Sequence, residues 1–184
     1  MLVRILFAGS GGQGVLTAGN ILGNACMQED YFVTYIPSYG AAVRGGTANC
    51  TICLSDEEIA SPVTSSPDIV VALNQPSAQA FVIRIEPGGQ LIYNASMISS
   101  IPYRGDVNLF PVPANELAMK VGSEKSVNMV MLGAFIKLLN IIKVDSVCAS
   151  IDAMMAKKKK IAELSKQAVM EGWSGFPFGN GSPQ

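Results

Sequence analysis

The segment FAGSGGQGVLTAGNILG, residues 7–23, constrains this chain more than any other. A short apolar run from Leu2 to Ala8 ends in a glycine cluster. Val15, Ala18, Ile21, Leu22, Ala25 and Cys26 then follow helical spacing. A continuous apolar run closed by glycine predicts a buried parallel strand, and the 3.6-residue period predicts a helix over 13–28. Gly9, Gly11 and Gly14 fit G-x-G-x-x-G between the two. That order puts unpaired N–H groups at a helix N-terminus, where glycine lets an anion approach the backbone. The same turn can cradle a nicotinamide or flavin dinucleotide, hold another anion, or simply reverse the chain with no ligand.

A dinucleotide site needs an acidic residue about 20 residues further on, at the end of the second strand, to grip the ribose hydroxyls. The β-branched and aromatic run Tyr31–Ile36 is that strand, and Pro37 is expected to end it. Thr34 stands where the acid is needed, and Glu29 and Asp30 precede the strand at its opposite end. No arginine is there to accept a 2′-phosphate. The NAD-dependent oxidoreductase reading therefore lacks its discriminating residue.

The loop that follows, SYGAAVRGG over 38–46, falls at the carboxyl-end rim, where α/β proteins place ligands and partners. It combines the aromatic hydroxyl of Tyr39, the five-donor cation of Arg44 and the glycines Gly40, Gly45 and Gly46. Such a loop can hold a phosphate or carboxylate, or dock into a neighbouring subunit.

Further strands are expected at 47–54, 68–73, after the turn Pro87-Gly88-Gly89, and at 107–112. Helices are expected at 75–85 and from Pro113 to about Val121. A long apolar helix spans Val127–Ile142, and Asp145 is placed to cap one continuing toward Gly172. Strand and helix alternate for most of the chain. The expected fold is α/β: a single Rossmann-like three-layer domain over 1–175 with a mainly parallel sheet and C-terminal helices. The Gly/Pro-rich stretch 176–184 is expected to be a flexible tail.

Composition narrows the chemistry. Histidine is absent, which removes the commonest general base and every His-containing nucleophile relay. Cys50 and Cys53 have C-x-x-C spacing but fall in a strand, where residues three apart face opposite ways, and no second pair completes a metal shell. With only Cys26 and Cys148 besides, the chain alone is not expected to hold a metal or an iron–sulfur cluster. Net charge is −1 with no basic arm, so nucleic acid is not an expected partner, and Lys157–Lys160 is expected to be a solvated helix face. Charged residues make up 15% against an ordinary ~25%, yet no run approaches the roughly 18 apolar residues of a membrane span. So much apolar surface without a span is read either as burial against other subunits or as one well-packed α/β core. With no leader read at Met1–Arg4, the expected location is cytoplasmic.

Three segments in this order and spacing, GSGGQGVLTAGNILG, SYGAAVRGG and NMVMLGA at Asn128–Ala134, make the chain similar to the gamma subunit of 2-oxoacid:ferredoxin oxidoreductases. The resemblance covers nearly the whole chain. It implies membership of an assembly that oxidatively decarboxylates a 2-oxoacid with coenzyme A, giving acyl-CoA and CO2 and reducing ferredoxin. Thiamine diphosphate and iron–sulfur clusters are implied on the alpha, beta and, where present, delta subunits, with no catalytic residue on this chain. Gly9, Gly11, Gly12, Gln13, Gly14, Tyr39, Arg44, Gly45 and Gly46 are the implied cofactor-side residues, shaping a polar pocket near coenzyme A phosphates or the subunit interface. None of the cofactors is expected to bind firmly to this chain alone, and the isolated chain is expected to be unstable, self-associated or aggregation-prone. The family commonly carries Pro-Glu where this sequence has Ala41-Ala42, which removes a carboxylate from the second segment. A free-standing nucleotide- or anion-binding module remains the alternative reading.

Overall fold

The structure, a computed structural model, describes residues 1–39, 46–61 and 65–175. Among these, β1 (Leu2–Ser10), β2 (Phe32–Tyr39), β3 (Thr47–Ser55), β4 (Ile69–Ala72), β5 (Gln90–Asn94) and β6 (Asn108–Val112) form one sheet in the order β2-β3-β1-β4-β5-β6. β1, β4, β5 and β6 pair in parallel. β3 runs antiparallel to both β1 and β2, so β2 points the same way as β1 and only β3 is reversed. The mainly parallel sheet expected from the sequence is present, with one insertion: β3 lies between β1 and β2. This separates the end of β2 from the glycine turn by two strand spacings, about 10 Å. A ribose-gripping acid on β2 would therefore be too far away, whatever residue stood there.

The helices are α1 (Val15–Gln28), α2 (Gln75–Val82), α3 (Ala114–Lys120), α4 (Val127–Leu139), α5 (Val144–Met154) and α6 (Lys159–Ser174). α1 and α3 to α6 share the main core with Ile5, Phe7, Cys50, Ile52 and Leu54 of the sheet. α2 alone covers the other face, over Leu6, Ala8, Val70 and Ala72. α4 is buried at every position from Asn128 to Ile136, as a helix packed on all sides must be. Phe135 of α4 meets Phe7 of β1 edge to face, with centroids 5.5 Å apart. α6 lies against α4 through two glycines. A Cβ on Gly133 would come within 2.0 Å of Val169 O, and one on Gly172 within 1.9 Å of Val130 O. Lys137, which interrupts the apolar run of α4, sits with its ammonium 4.4 Å from the Trp173 ring centroid.

Three elements differ from the sequence reading. β2 continues through Pro37 to Tyr39 because it is an edge strand, where a missing N–H leaves no ladder bond unmade. α1 starts at Val15 rather than Gln13, since Gly14 at its N-cap adopts φ 73°, outside the helical region. The segment after Asp145 is two helices, and Asp145 lies in the first turn of α5 without capping it. The break falls at 155–158, so Lys157 and Lys158 occupy the turn while Lys159 and Lys160 open α6. An unbroken helix over 144–174 would be about 46 Å long. The turn instead folds α5 onto α1 and α6 onto α4.

Cys50 and Cys53 lie in β3, both buried, with Cys50 in the main core. None of the four cysteines is in a disulfide. Burial pushes the Cys26 and Cys50 thiols up to about 12, so neither offers a thiolate at neutral pH.

Candidate functional site

β1 delivers the glycine turn to the carboxyl end of the sheet, and each of its residues does something different. Gly9 is still in β1, and a Cβ there would meet Val15 Cγ2 at 2.7 Å and Gln13 Oε1 at 2.8 Å, so the turn closes tightly only on glycine. The Gly11 N–H donates to Gly46 O at 2.9 Å, and the Gln13 N–H donates to Ser10 O at 3.0 Å. Gly12 has φ 93° and nothing within 4 Å of a notional Cβ. Gly14 has φ 73°, and a Cβ would strike Asn128 Nδ2 at 2.3 Å. Asn128 in turn donates to Gly14 O at 3.0 Å. The turn is thus held by its own backbone, by the end of the second motif and by the first residue of NMVMLGA. Tyr39 ends β2, paired with Ala48. Arg44 and Gly45 lie outside the described residues.

The side chain of Gln13 turns back over the sheet. Its Oε1 accepts from the Ser10 N–H at 2.7 Å and from Asn74 Nδ2 at 2.8 Å. Asn74 follows β4, next to β1 in the sheet, so this bond crosses the crevice where the connections from β1 and β4 diverge. Open α/β sheets bind their ligands at that switch point. Asn74 also donates to Ser10 Oγ at 2.7 Å, and its Oδ1 accepts the Ser77 N–H at 3.0 Å as the N-cap of α2.

Beside this bond opens a cleft of about 440 Å³, lined among others by Gly12, Gln13, Leu73, Asn94, Asn115 and Lys125. Asn94 ends β5 and is only 1% exposed. Its Nδ2 donates to Asn115 Oδ1 at 2.9 Å, while its Oδ1 accepts the Ser96 N–H at 3.2 Å. Ser96 also donates to Glu116 in the first turn of α3. That hydroxyl, then the nearby backbone N–H, holds the Glu116 carboxyl below its usual range. The cleft contains amide donors and acceptors, the oppositely charged neighbours Glu124 and Lys125, and apolar walls, so it can bind and orient a polar group.

The glycine turn and Gly46 are therefore brought together. Asn74, Asn94 and Asn115 were missed as site residues. Asn74 carries a readable signal, since Asn-Gln-Pro is an N-cap followed by proline in the first turn. Asn94 and Asn115 have none beyond the rule that strand carboxyl ends face the ligand. Among the described residues, no group of three or more Cys, Asp or Glu side chains could hold a metal ion. None of the described helices is long and apolar enough to cross a membrane.

Residues 4–174 match the family described as pyruvate ferredoxin/flavodoxin oxidoreductase. The chain is 37% identical over 171 residues to the ketoisovalerate oxidoreductase subunit VorA of Methanothermobacter thermautotrophicus. That alignment covers 92% of this chain and 35% of the relative, so the chain spans about a third of that protein's length. The keto/oxoacid ferredoxin oxidoreductase gamma subunit of Geobacter sulfurreducens has the same fold, with a TM-score of 0.80 at 24% identity over 93% of this chain and 96% of that one. So does part of the 2-oxoglutarate:ferredoxin oxidoreductase of Magnetococcus marinus, solved with 2-oxoglutarate, coenzyme A and succinyl-CoA bound. Its TM-score is 0.85 at 24% identity, over 100% of this chain and 33% of that one.

Proposed function

The chain belongs to the pyruvate ferredoxin/flavodoxin oxidoreductase family, and from that membership we propose that it is the gamma subunit of a multi-subunit 2-oxoacid:ferredoxin oxidoreductase. The assembly converts a 2-oxoacid and coenzyme A to acyl-CoA and CO2 and passes two electrons to ferredoxin. The observation that carries this reading is the meeting of the three family segments at one rim. Gly11 is bonded to Gly46, and Gly14 is bonded to Asn128. The described end of the second segment and the first residue of the third thus both reach the glycine turn, which supports the reading.

Thiamine diphosphate and iron–sulfur clusters belong, on this reading, to the alpha, beta and delta subunits. The described residues do not fit a cluster: they hold no metal-ligating group, and Cys26 and Cys50 are buried as neutral thiols. Bound there, thiamine diphosphate supplies the carbanion chemistry of decarboxylation. Coenzyme A is the group whose chemistry suits this chain. The glycine turn, Tyr39 and the Arg44–Gly46 segment would hold its phosphates against the end of the sheet, and the cleft beyond Gln13 would take a neighbouring polar part. Arg44→Ala is expected to raise the KM for coenzyme A or weaken assembly, leaving the chain's own fold intact. Unchanged kinetics and assembly would remove that role.

An apolar strip on the sheet is also exposed. Phe32, Ile36 and Leu2 are 49%, 37% and 43% exposed. Phe32 and Leu2 flank Ser55 in one row across β2, β3 and β1, on the face away from the main core. α2 covers only the other half of that face. A thiamine-bearing subunit packed there would bury this strip, in keeping with a cytoplasmic multi-subunit enzyme. Assembly is tested by co-expression with the thiamine-binding chains of the host, read as co-elution in one complex.

A further inference from the structure

We propose that the cleft beside the glycine turn reads a hydrogen-bond acceptor, an anionic carboxylate or phosphoryl oxygen, through two side-chain NH2 groups whose direction the fold has fixed. They are Gln13 Nε2 and Asn115 Nδ2. The inference deepens the coenzyme A side of the proposed function and rests on it only for the identity of the natural ligand.

A carboxamide can turn either its oxygen or its nitrogen into a pocket, and the choice is decided by the neighbours that bind its other end. Here backbone N–H groups decide, and they can only donate. The Ser10 N–H points at Gln13, so the atom it meets is Oε1 and the other end of the side chain is NH2. Asn74 reinforces this. Its Oδ1 is taken by the Ser77 N–H, so Nδ2 faces Gln13 and again requires an oxygen there. On the opposite wall the Ser96 N–H fixes Asn94 Oδ1, which sends Asn94 Nδ2 to Asn115 Oδ1 and leaves Asn115 Nδ2 as the outward end. Neither Gln13 Nε2 nor Asn115 Nδ2 donates to any described residue, and both residues line the one cleft.

Two relays that share no residue thus end in the same polarity. Asn74 and Asn94 are positioning residues, and Gln13 and Asn115 are the ones that would touch the ligand. Lys125 lines the same cleft and supplies a positive charge, with Glu124 beside it. The side-chain charges cancel, so recognition depends on the direction of the donors more than on net field. A neutral hydroxyl or an amine presented to both NH2 groups would gain less than an ionised oxygen, whose hydrogen bonds are charge-assisted.

The variant Gln13→Glu separates reading from folding. One carboxylate oxygen still accepts from Ser10 and Asn74 and holds the turn, while the other replaces the donor with an acceptor. Asn115→Asp makes the same exchange on the far wall. The test is a titration of the full chain, labelled with nitrogen-15, with inorganic pyrophosphate in one arm and succinate in the other, following the side-chain NH2 resonances. The proposal predicts saturable shifts of the Gln13 and Asn115 signals with at least one probe, and at least tenfold weaker binding in each variant with the backbone spectrum preserved. Which arm responds tells a phosphoryl from a carboxylate ligand. No saturable shift in either arm, or binding that both variants leave unchanged, would overturn it. Assembly with partner chains is read separately, so a silent cleft in a chain that assembles rejects this inference and not the proposed function.

Discussion

Asn74 Nδ2 donates to Gln13 Oε1 at 2.8 Å across the gap between the ends of β4 and β1. The bond ties the glycine turn to the strand on the other side of the switch point, and Asn74 caps α2 with its remaining oxygen. Removing the cap alone should cost about 1–2 kcal/mol. If the turn and α2 are coupled through this bond, Gln13→Ala and Asn74→Ala should be non-additive by about 0.5–3 kcal/mol in a double-mutant cycle. Urea unfolding of the four proteins measures it. Strict additivity would mean that the two residues stabilise independently.

Much of this rim was readable beforehand, and the unread part has physical causes. Strand, turn and helix announce themselves through period and glycine, so β1, the turn and α1 were placed to within a few residues. Pro37 reads as a stop because sequence does not distinguish an edge strand from a central one. The reversal of β3 was invisible for a related reason: pairing direction is set by non-local packing. The single helix expected from Asp145 to Gly172 became two because the apolar faces of α5 and α6 are claimed by different partners, α1 and α4. Asn94 and Asn115 carry no sequence signal, since a carboxamide has no periodicity to betray it. Its importance comes from a neighbour far along the chain.

The contact between α4 and α6 depends on the absence of two side chains. Gly133→Ala and Gly172→Ala each drive a Cβ to about 2 Å from a backbone carbonyl oxygen, which no rotamer change can relieve. Each should destabilise by about 3 kcal/mol, the upper part of the usual range for overpacking, or more. Gly88→Ala is the control: its φ of 83° is strained for alanine but the space is open, so the cost should be about 1–2 kcal/mol. Thermal unfolding of the three variants should rank Gly88→Ala mildest. The reverse order would show that the helices can separate slightly at little cost.

Alkaline pH should weaken the fold through its buried thiols. Cys26 and Cys50 are held neutral up to about 12, chiefly by burial, against an ordinary value of about 9. The unfolded chain therefore loses those protons first as pH rises. The stabilisation is fully present below about 9 and is lost between about 9 and 12. Replacing Cys50 with alanine leaves a cavity but removes its share of the slope, so the variant's stability should fall less steeply over that interval. An identical slope in wild type and variant would exclude Cys50 as a contributor. At pH 8 in the native state, a thiol reagent should modify the half-buried Cys148 well before Cys26 or Cys50.

The exposed strip on the second sheet face should matter to assembly and not to folding. Ile36→Lys places a charge on an edge strand at a position already 37% exposed. Its own unfolding transition should move by about 0.5 kcal/mol or less. Its share of the hetero-complex should drop several-fold on size exclusion. Full assembly with the lysine present would remove β2 from the interface.

The most direct test of the account is the mass of the species formed when this chain is co-expressed with its host's thiamine-binding chains, measured by light scattering after size exclusion. As a gamma subunit, the chain should elute in a hetero-complex with those chains. A stable monomer of 19.4 kDa that leaves the thiamine-binding chains behind would contradict it.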